Sequence, residues 1–242
     1  MARAGYGSSV EGTHAVAAAL AAGRVEKLFV ERGRRGRLGP LLEALDLPIV
    51  EFVDDVRPIA ETDAPQGVVA RCRPIMSATL ESLAVDGAAV LVLDHVEDPH
   101  NVGAAARSGL AAGVTGMVVS SRRAAPLSAT AFKSAVGALE RLPVAIVGSI
   151  PEALSRLKDN GVWIVGLETG AEQSLFGLDL LTEPVAMVIG AEGTGLAELS
   201  RKRCDVLASI PMAGDTESLN ASVSAALASF EIMRVRNKAE AT

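Results

Sequence analysis

Short apolar runs and longer alanine-rich segments alternate along this chain. Lys27–Val30, Pro48–Val53 and Gly67–Cys72 read as strands in the first third, and Ala89–Leu93, Gly116–Val119, Val144–Val147, Val162–Gly166, Val185–Ile189 and Val206–Ile210 in the rest. Helical spacing recurs between them: His14–Ala22, Leu38–Leu45 and Val56–Thr62 first, then Asn101–Ala112, Ala129–Leu139, Pro151–Lys158, Gly195–Arg201 and a closing helix, Leu219–Arg234. Strands alternating with helices predict an α/β fold with a largely parallel sheet covered on both faces. The pattern divides into a small α/β unit over residues 1–74, a junction at 75–87 and a larger unit over 88–242. Residues 1–10 read as a flexible leader, and Asn237–Thr242 as a frayed polar end. The closing helix carries Leu219, Val223, Ala226, Leu227 and Phe230 as a stripe, which suits either its own sheet or a partner subunit.

Composition narrows the class. Of 242 residues, 49% are apolar, which is enough for a substantial core and excludes a disordered chain. No apolar run reaches the length of a membrane span, so the expected location is cytoplasmic. Cys72 and Cys204 fit no metal spacing, and no ligand cluster suggests a metal. The net charge of −6 argues against nonspecific nucleic-acid binding. Yet residues 1–74 hold ten basic and ten acidic side chains and are neutral, and Arg32, Arg34, Arg35 and Arg37 cluster among glycines there. That loop suits phosphate contacts, and it equally suits a solvated surface.

Three stretches carry candidate chemistry. After the strand Ala89–Leu93 comes DHVEDPHNVGAAAR, in which Asn101 opens a helix and is placed to bond its free N–H groups. Gly103 leaves room for a close approach on the face that Arg107 shares, and a guanidinium there suits phosphate or carboxylate. After Val185–Ile189 comes GAEGTG. It lacks the order of a dinucleotide fingerprint and the Gly-Lys-Ser/Thr of a P-loop. Glu192 at its centre would repel a phosphate, so a cationic or neutral ligand fits better. After Val206–Ile210 comes IPMAGDTESLNAS, with Met212 as an adaptable apolar wall and Ser218 and Asn220 around the start of the closing helix. In open α/β sheets such loops gather at the carboxyl ends of strands and build one pocket.

Together the three stretches resemble the signature motifs of the SpoU/TrmH family of RNA ribose 2′-O-methyltransferases. Asn101, Gly103 and Arg107 match the first motif, Gly190, Glu192, Gly193, Gly195 and Leu196 the second, and Ile210, Pro211, Met212, Ser218, Leu219, Asn220 and Ser222 the third. GTHAVAAALAAGRVEKLFV and QGVVARCRP resemble the small RNA-binding substrate domain of the bacterial 23S rRNA guanosine methyltransferase branch. The resemblance implies an α/β (SPOUT) deep trefoil knot over residues 88–242, an RNA substrate-binding domain over 1–74, and a homodimer whose active site borders both subunits. It implies S-adenosyl-L-methionine as cofactor, held near Gly190, Ile210, Met212, Ser218 and Leu219. Arg107 would position an RNA phosphate and the ribose hydroxyl, with Asn101, Glu192 and Asn220 orienting it and the nucleotide. Ala221 stands where valine is common. The expected reaction is methyl transfer to a ribose in 23S rRNA. A tRNA or antibiotic-resistance rRNA methyltransferase uses the same motifs, and a non-catalytic ribosome-assembly factor would be expected to lose Asn101, Arg107, Glu192 or Asn220.

Overall fold

A computed structural model describes residues 5–34, 36, 49–122, 124, 127–214 and 218–240. The second unit is built on seven parallel strands: β7 (Ala89–Leu93), β8 (Gly116–Ser120), β9 (Val144–Val147), β10 (Trp163–Leu167), β11 (Gln173–Ser174), β12 (Val185–Ile189) and β13 (Val206–Ser209). Their spatial order is β11-β13-β10-β12-β7-β8-β9. β7, β8 and β12 are buried at every position, so both faces must be covered. The pleat sends Val90, Val92, Ala186 and Val188 to one face. There they meet Ile150, Leu154 and Leu157 of a helix, Ile150–Asp159, that Ser149 caps through Glu152 N at 3.4 Å. Leu91, Leu93, Met187 and Ile189 go to the other face, under helix α3 (Pro99–Ala111) and the closing helix α7 (Ala221–Glu240).

The first unit is a four-stranded mixed sheet, in which β2 (Ser9–Glu11), β5 (Val68–Cys72), β3 (Val25–Glu31) and β4 (Ile49–Val53) lie in that order. Helix α1 (Thr13–Ala21) buries Ala15, Val16, Ala19 and Leu20. From Gly5 onward, the expected flexible leader is structured instead. β1 (Gly5–Tyr6) pairs antiparallel with β6 (Ile75–Met76), and Tyr6 is buried with its ring 6.2 Å from that of Phe132. The junction is laid against the large sheet: Ser77 Oγ accepts from Ile146 N at 2.9 Å, and Ala78 N donates to Val144 O at 2.8 Å.

Several predicted elements are shorter than expected or absent. Val56–Thr62 is a hydrogen-bonded turn: Ile59 N and Ala60 N bond Val56 O, but Glu61 N and Thr62 N donate to the buried Glu11 carboxylate and not to helical carbonyls. Helix α4 (Ala129–Ala135) stops before Leu139 because Val136 and Gly137 turn left-handed, at φ 49° and 87°. Gly195 pairs with Ala191, so only Glu198–Arg201 of the predicted Gly195–Arg201 helix forms. α7 begins at Ala221 rather than Leu219, and Asn237–Glu240 continue it rather than fray. The predicted helix Leu38–Leu45, Arg35 and Arg37 lie outside the described residues. No helix among the described residues is long and apolar enough to cross a membrane.

Candidate active site

The chain leaves β7 for β8 on one side and leaves β12 for β13 on the other. β7 and β12 are neighbours, so their outgoing loops part and open a crevice at the carboxyl ends. The loop after β12 folds back on itself. Ala191 N donates to Gly195 O at 3.1 Å and Gly195 N to Ala191 O at 2.9 Å. A Cβ on Gly190 would sit 2.2 Å from the Gly195 carbonyl carbon, so glycine is required there by the loop's own closure. Asp94, fully buried at the end of β7, fixes the exit of this loop. Its Oδ2 accepts from Ala197 N at 2.9 Å, and its Oδ1 lies 2.7 Å from Nδ1 of His95.

Glu192 projects from this loop to where α3 and α7 begin. Its Oε1 accepts from Asn101 Nδ2 at 2.8 Å, Asn220 Nδ2 at 2.6 Å and Ala221 N at 3.3 Å. Asn220 Nδ2 also lies 3.0 Å from Asn101 Oδ1. Three residues from three separate motifs thus close one network. The sequence assigned capping to Asn101 and placed Ser218 ahead of the closing helix. Instead Asp98 caps α3 through His100 N at 2.8 Å, which frees the Asn101 amide for the network. Asn220 Oδ1 accepts from Ser222 N at 2.9 Å and Val223 N at 3.4 Å, so it caps α7 itself.

Beside this network lies a cavity of about 350 Å³. Gly190, Ile210, Met212, Ser218 and Leu219, all five residues singled out for ligand binding, line it. So do Leu167, Glu168 and Thr169 at the end of β10, which the sequence reading did not single out. No motif in the sequence marks them; they reach the cavity because β10 flanks β12, so its outgoing loop borders the same crevice. The walls combine apolar side chains with the carboxylate of Glu192 and with Glu168, whose Oε2 is paired to Arg201 Nε on the same wall at 2.6 Å.

Arg107 stands apart. Six residues beyond Asn101, it lies about 9 Å further along α3 and about 120° around it. It is exposed, does not line the cavity, and has no hydrogen-bond or ion-pair partner among the described residues. Gly103 is filled by protein and not by ligand: a Cβ there would lie 2.3 Å from the Ala131 carbonyl oxygen of α4. Arg32 and Arg34 form an exposed turn, with Arg32 3.3 Å from Asp54. Both cysteines are held in the thiol form. Burial pushes the Cys72 thiol up to about 11 and that of Cys204, helped by Asp205 and Asp94, up to about 12.

A parallel α/β sheet, a ligand cavity at its topological switch point and a closed Asn-Glu-Asn network over that cavity define a ligand-binding catalytic fold joined to a small mixed-sheet unit. Comparison with known proteins gives the family. Residues 88–230 match the SpoU rRNA Methylase family, and residues 9–78 match the RNA 2′-O ribose methyltransferase substrate binding family. The chain belongs to the SpoU rRNA Methylase family. It is 38% identical over 237 residues to the 23S rRNA (guanosine-2′-O-)-methyltransferase RlmB of Ralstonia nicotianae, covering 93% of this chain and 95% of the relative. The Escherichia coli (strain K12) protein of that name is 38% identical over 243 residues, covering 94% and 98%. Among solved structures, the SpoU methyltransferase AviRb from Streptomyces viridochromogenes superposes with a TM-score of 0.81 at 27% identity, covering 96% of this chain and 90% of that one. Its complex with AdoMet gives 0.80 at 28% identity, covering 95% and 90%.

Proposed function

We propose that this protein transfers a methyl group from S-adenosylmethionine to the ribose 2′-hydroxyl of a guanosine in 23S rRNA. The observation that carries the reading is the Asn101–Glu192–Asn220 network closed over the adjoining cavity, in a chain matched along 95% and 98% of two RlmB relatives. S-adenosylmethionine supplies the methyl group on a cationic sulfonium. The cavity fits such a group: Glu192 favours positive charge, while Ile210, Met212 and Leu219 offer apolar walls. Gly190 and Ser218 bring backbone and a small side chain close to the bound nucleoside. Asn101 and Asn220 lock the Glu192 carboxylate in place. Arg107 holds an RNA phosphate so that the neighbouring 2′-oxygen is in line for attack. Its role is positioning, since a guanidinium stays protonated.

The place of Arg107, away from the network in its own chain, supports a homodimer whose active site borders both subunits. So does the outer face of α7, where Val223 and Phe230 are 45% and 44% exposed. β13 slots between β10 and β11 after the chain has passed through β12, an order that supports the trefoil-knotted path. A crystal structure tracing the C-terminal segment outside every loop would remove the knot. The unit over 1–74 is read as the RNA-binding domain, 75–87 as its junction and 88–242 as the methyltransferase domain. Arg32, Arg34, Arg35 and Arg37 are read as RNA contacts. Changing all four to glutamine should weaken RNA binding, and unchanged affinity would remove them from that role. A cytoplasmic location follows from the rRNA substrate, and cell fractionation checks it.

Incubation of total RNA with labelled cofactor, followed by mapping of the modified ribose, tests the function. Label in large-subunit rRNA is expected. Label in tRNA alone replaces the substrate, and no label in any RNA leaves a binding protein. Arg107→Ala should lower turnover by about 10³-fold with the thermal melt unchanged.

A further inference from the structure

A second cleft, of about 650 Å³, lies between the two units. Arg107, His100 and Lys133 form its wall on α3 and α4, and His14, Asp63 and Gln66 its wall on the N-terminal unit. The cleft is rigidly built. Lys133 Nζ donates to Ala64 O across it, and Gln66 Oε1 accepts from Thr13 N at 3.1 Å. Glu11, fully buried, accepts from Thr62 N at 3.2 Å and pins the 61–66 loop from behind. Gln66 is held left-handed at φ 61°, a conformation that costs energy in a residue with a side chain and concentrates at functional sites.

The unspent hydrogen-bonding capacity converges on this cleft. Arg107 has no partner among the described residues, nor has His14. His100 spends Nδ1 on Ser134 Oγ at 3.0 Å, which leaves Nε2. The Thr13 bond fixes the Gln66 amide so that its NH₂ group is the end left over. The charge is asymmetric. Arg107 and Lys133 are cations on the α3–α4 wall, whereas Asp63 and an amide sit on the other. Glu61, also on that rim, is turned to Arg71 at 3.8 Å. A ligand with an anionic end and a hydrogen-bonding planar end matches this polarity, as a nucleotide does. Guanine is the base whose edge offers adjacent N–H donors for a carboxylate and a carbonyl acceptor for an amide.

We propose that the interdomain cleft receives one guanosine nucleotide of the RNA, its phosphate against Arg107, His100 and Lys133 and its base against His14, Asp63 and Gln66. The N-terminal unit then contributes directly to nucleotide placement, beyond holding distant RNA through its arginine loop. The inference rests on the methyltransferase reading for the identity of the polymer, and on the cleft itself for the site.

Gln66→Glu is the decisive variant. It keeps the oxygen that accepts from Thr13 N, and so the fold, but replaces the cleft-facing amide donor with an acceptor. His14→Asn removes the imidazole from an exposed position. Affinity for a large-subunit rRNA transcript should fall at least about tenfold in each, and KM for that RNA should rise in step. S-adenosylmethionine affinity, read at the other cavity, should stay within about twofold. RNA affinity within about twofold of the unaltered protein in both variants overturns the proposal. The two readings separate cleanly. If the unaltered protein transfers no methyl group yet both variants lose RNA affinity, the cleft stands and the catalytic reading falls. If it methylates normally and the variants bind RNA normally, the cleft falls alone.

Discussion

At the scale of single residues, the site is organised by one carboxylate oxygen. Glu192 Oε1 is the shared acceptor for Asn101, Asn220 and the first backbone N–H of α7. Glu192→Ala leaves three donors without it. The expected result is a loss of about 1–3 kcal/mol of stability in urea, together with a turnover at least about 10²-fold lower. Glu192→Gln separates orientation from charge. Its carbonyl oxygen can still accept from both asparagines, so the melt should change little, while affinity for the cationic cofactor falls. Equal cofactor affinity in the two proteins would show that the negative charge is not used. These residues were legible because each stands in a motif of small and polar types at fixed spacing. The part assigned to Asn101 was not, because Asp98 three residues earlier is an equally good cap and only the fold decides between them.

At the scale of elements, the buried strands were plain in the sequence: Ala89–Leu93 and Val185–Ile189 are apolar throughout and have exactly those bounds in the sheet. What escaped were pieces held by tertiary contacts alone. β11 is two residues long and exists through its pairing with β13. β1 and β6 form only against each other, across the whole N-terminal unit. Val136 reads as a continuing helix and instead turns left-handed, an outlier for a β-branched residue that no local pattern announces. Gly103 was legible as a close approach but not as to what approaches. Gly103→Val would drive α3 off the Ala131 carbonyl of α4. A loss of about 1–3 kcal/mol is expected, read as a lower urea midpoint at unchanged slope. An unchanged midpoint would mean that the helices separate freely.

At the scale of the whole molecule, the two units are clamped together. Arg24, on the N-terminal unit, meets Glu140 with bonds of 2.7 and 2.5 Å, and their side chains are 12% and 2% exposed. Burial opposes the Arg24 charge, but the Glu140 carboxylate outweighs it and raises the guanidinium further. Arg24 also donates to Gly7 O at 3.0 Å and lies 5.8 Å from the Phe132 ring centre. Arg24→Ala strands Glu140 and should cost about 3–5 kcal/mol in chemical denaturation, with Glu140→Gln in the same chain restoring part of it. On the exposed face of α7, Val223→Asp with Phe230→Asp should convert the proposed dimer to a monomer in sedimentation. A variant that sediments as the unaltered protein does would place the dimer contact elsewhere. The pairing of β12 with β7, Val185 against Ala89, joins segments about 100 residues apart in the chain. A ribosome releasing this chain from its amino end presents β7, with β8 on its other side, long before β12 exists. The pocket is therefore among the last features to assemble in a newborn molecule, and until then an apolar strand edge stands open to chaperones.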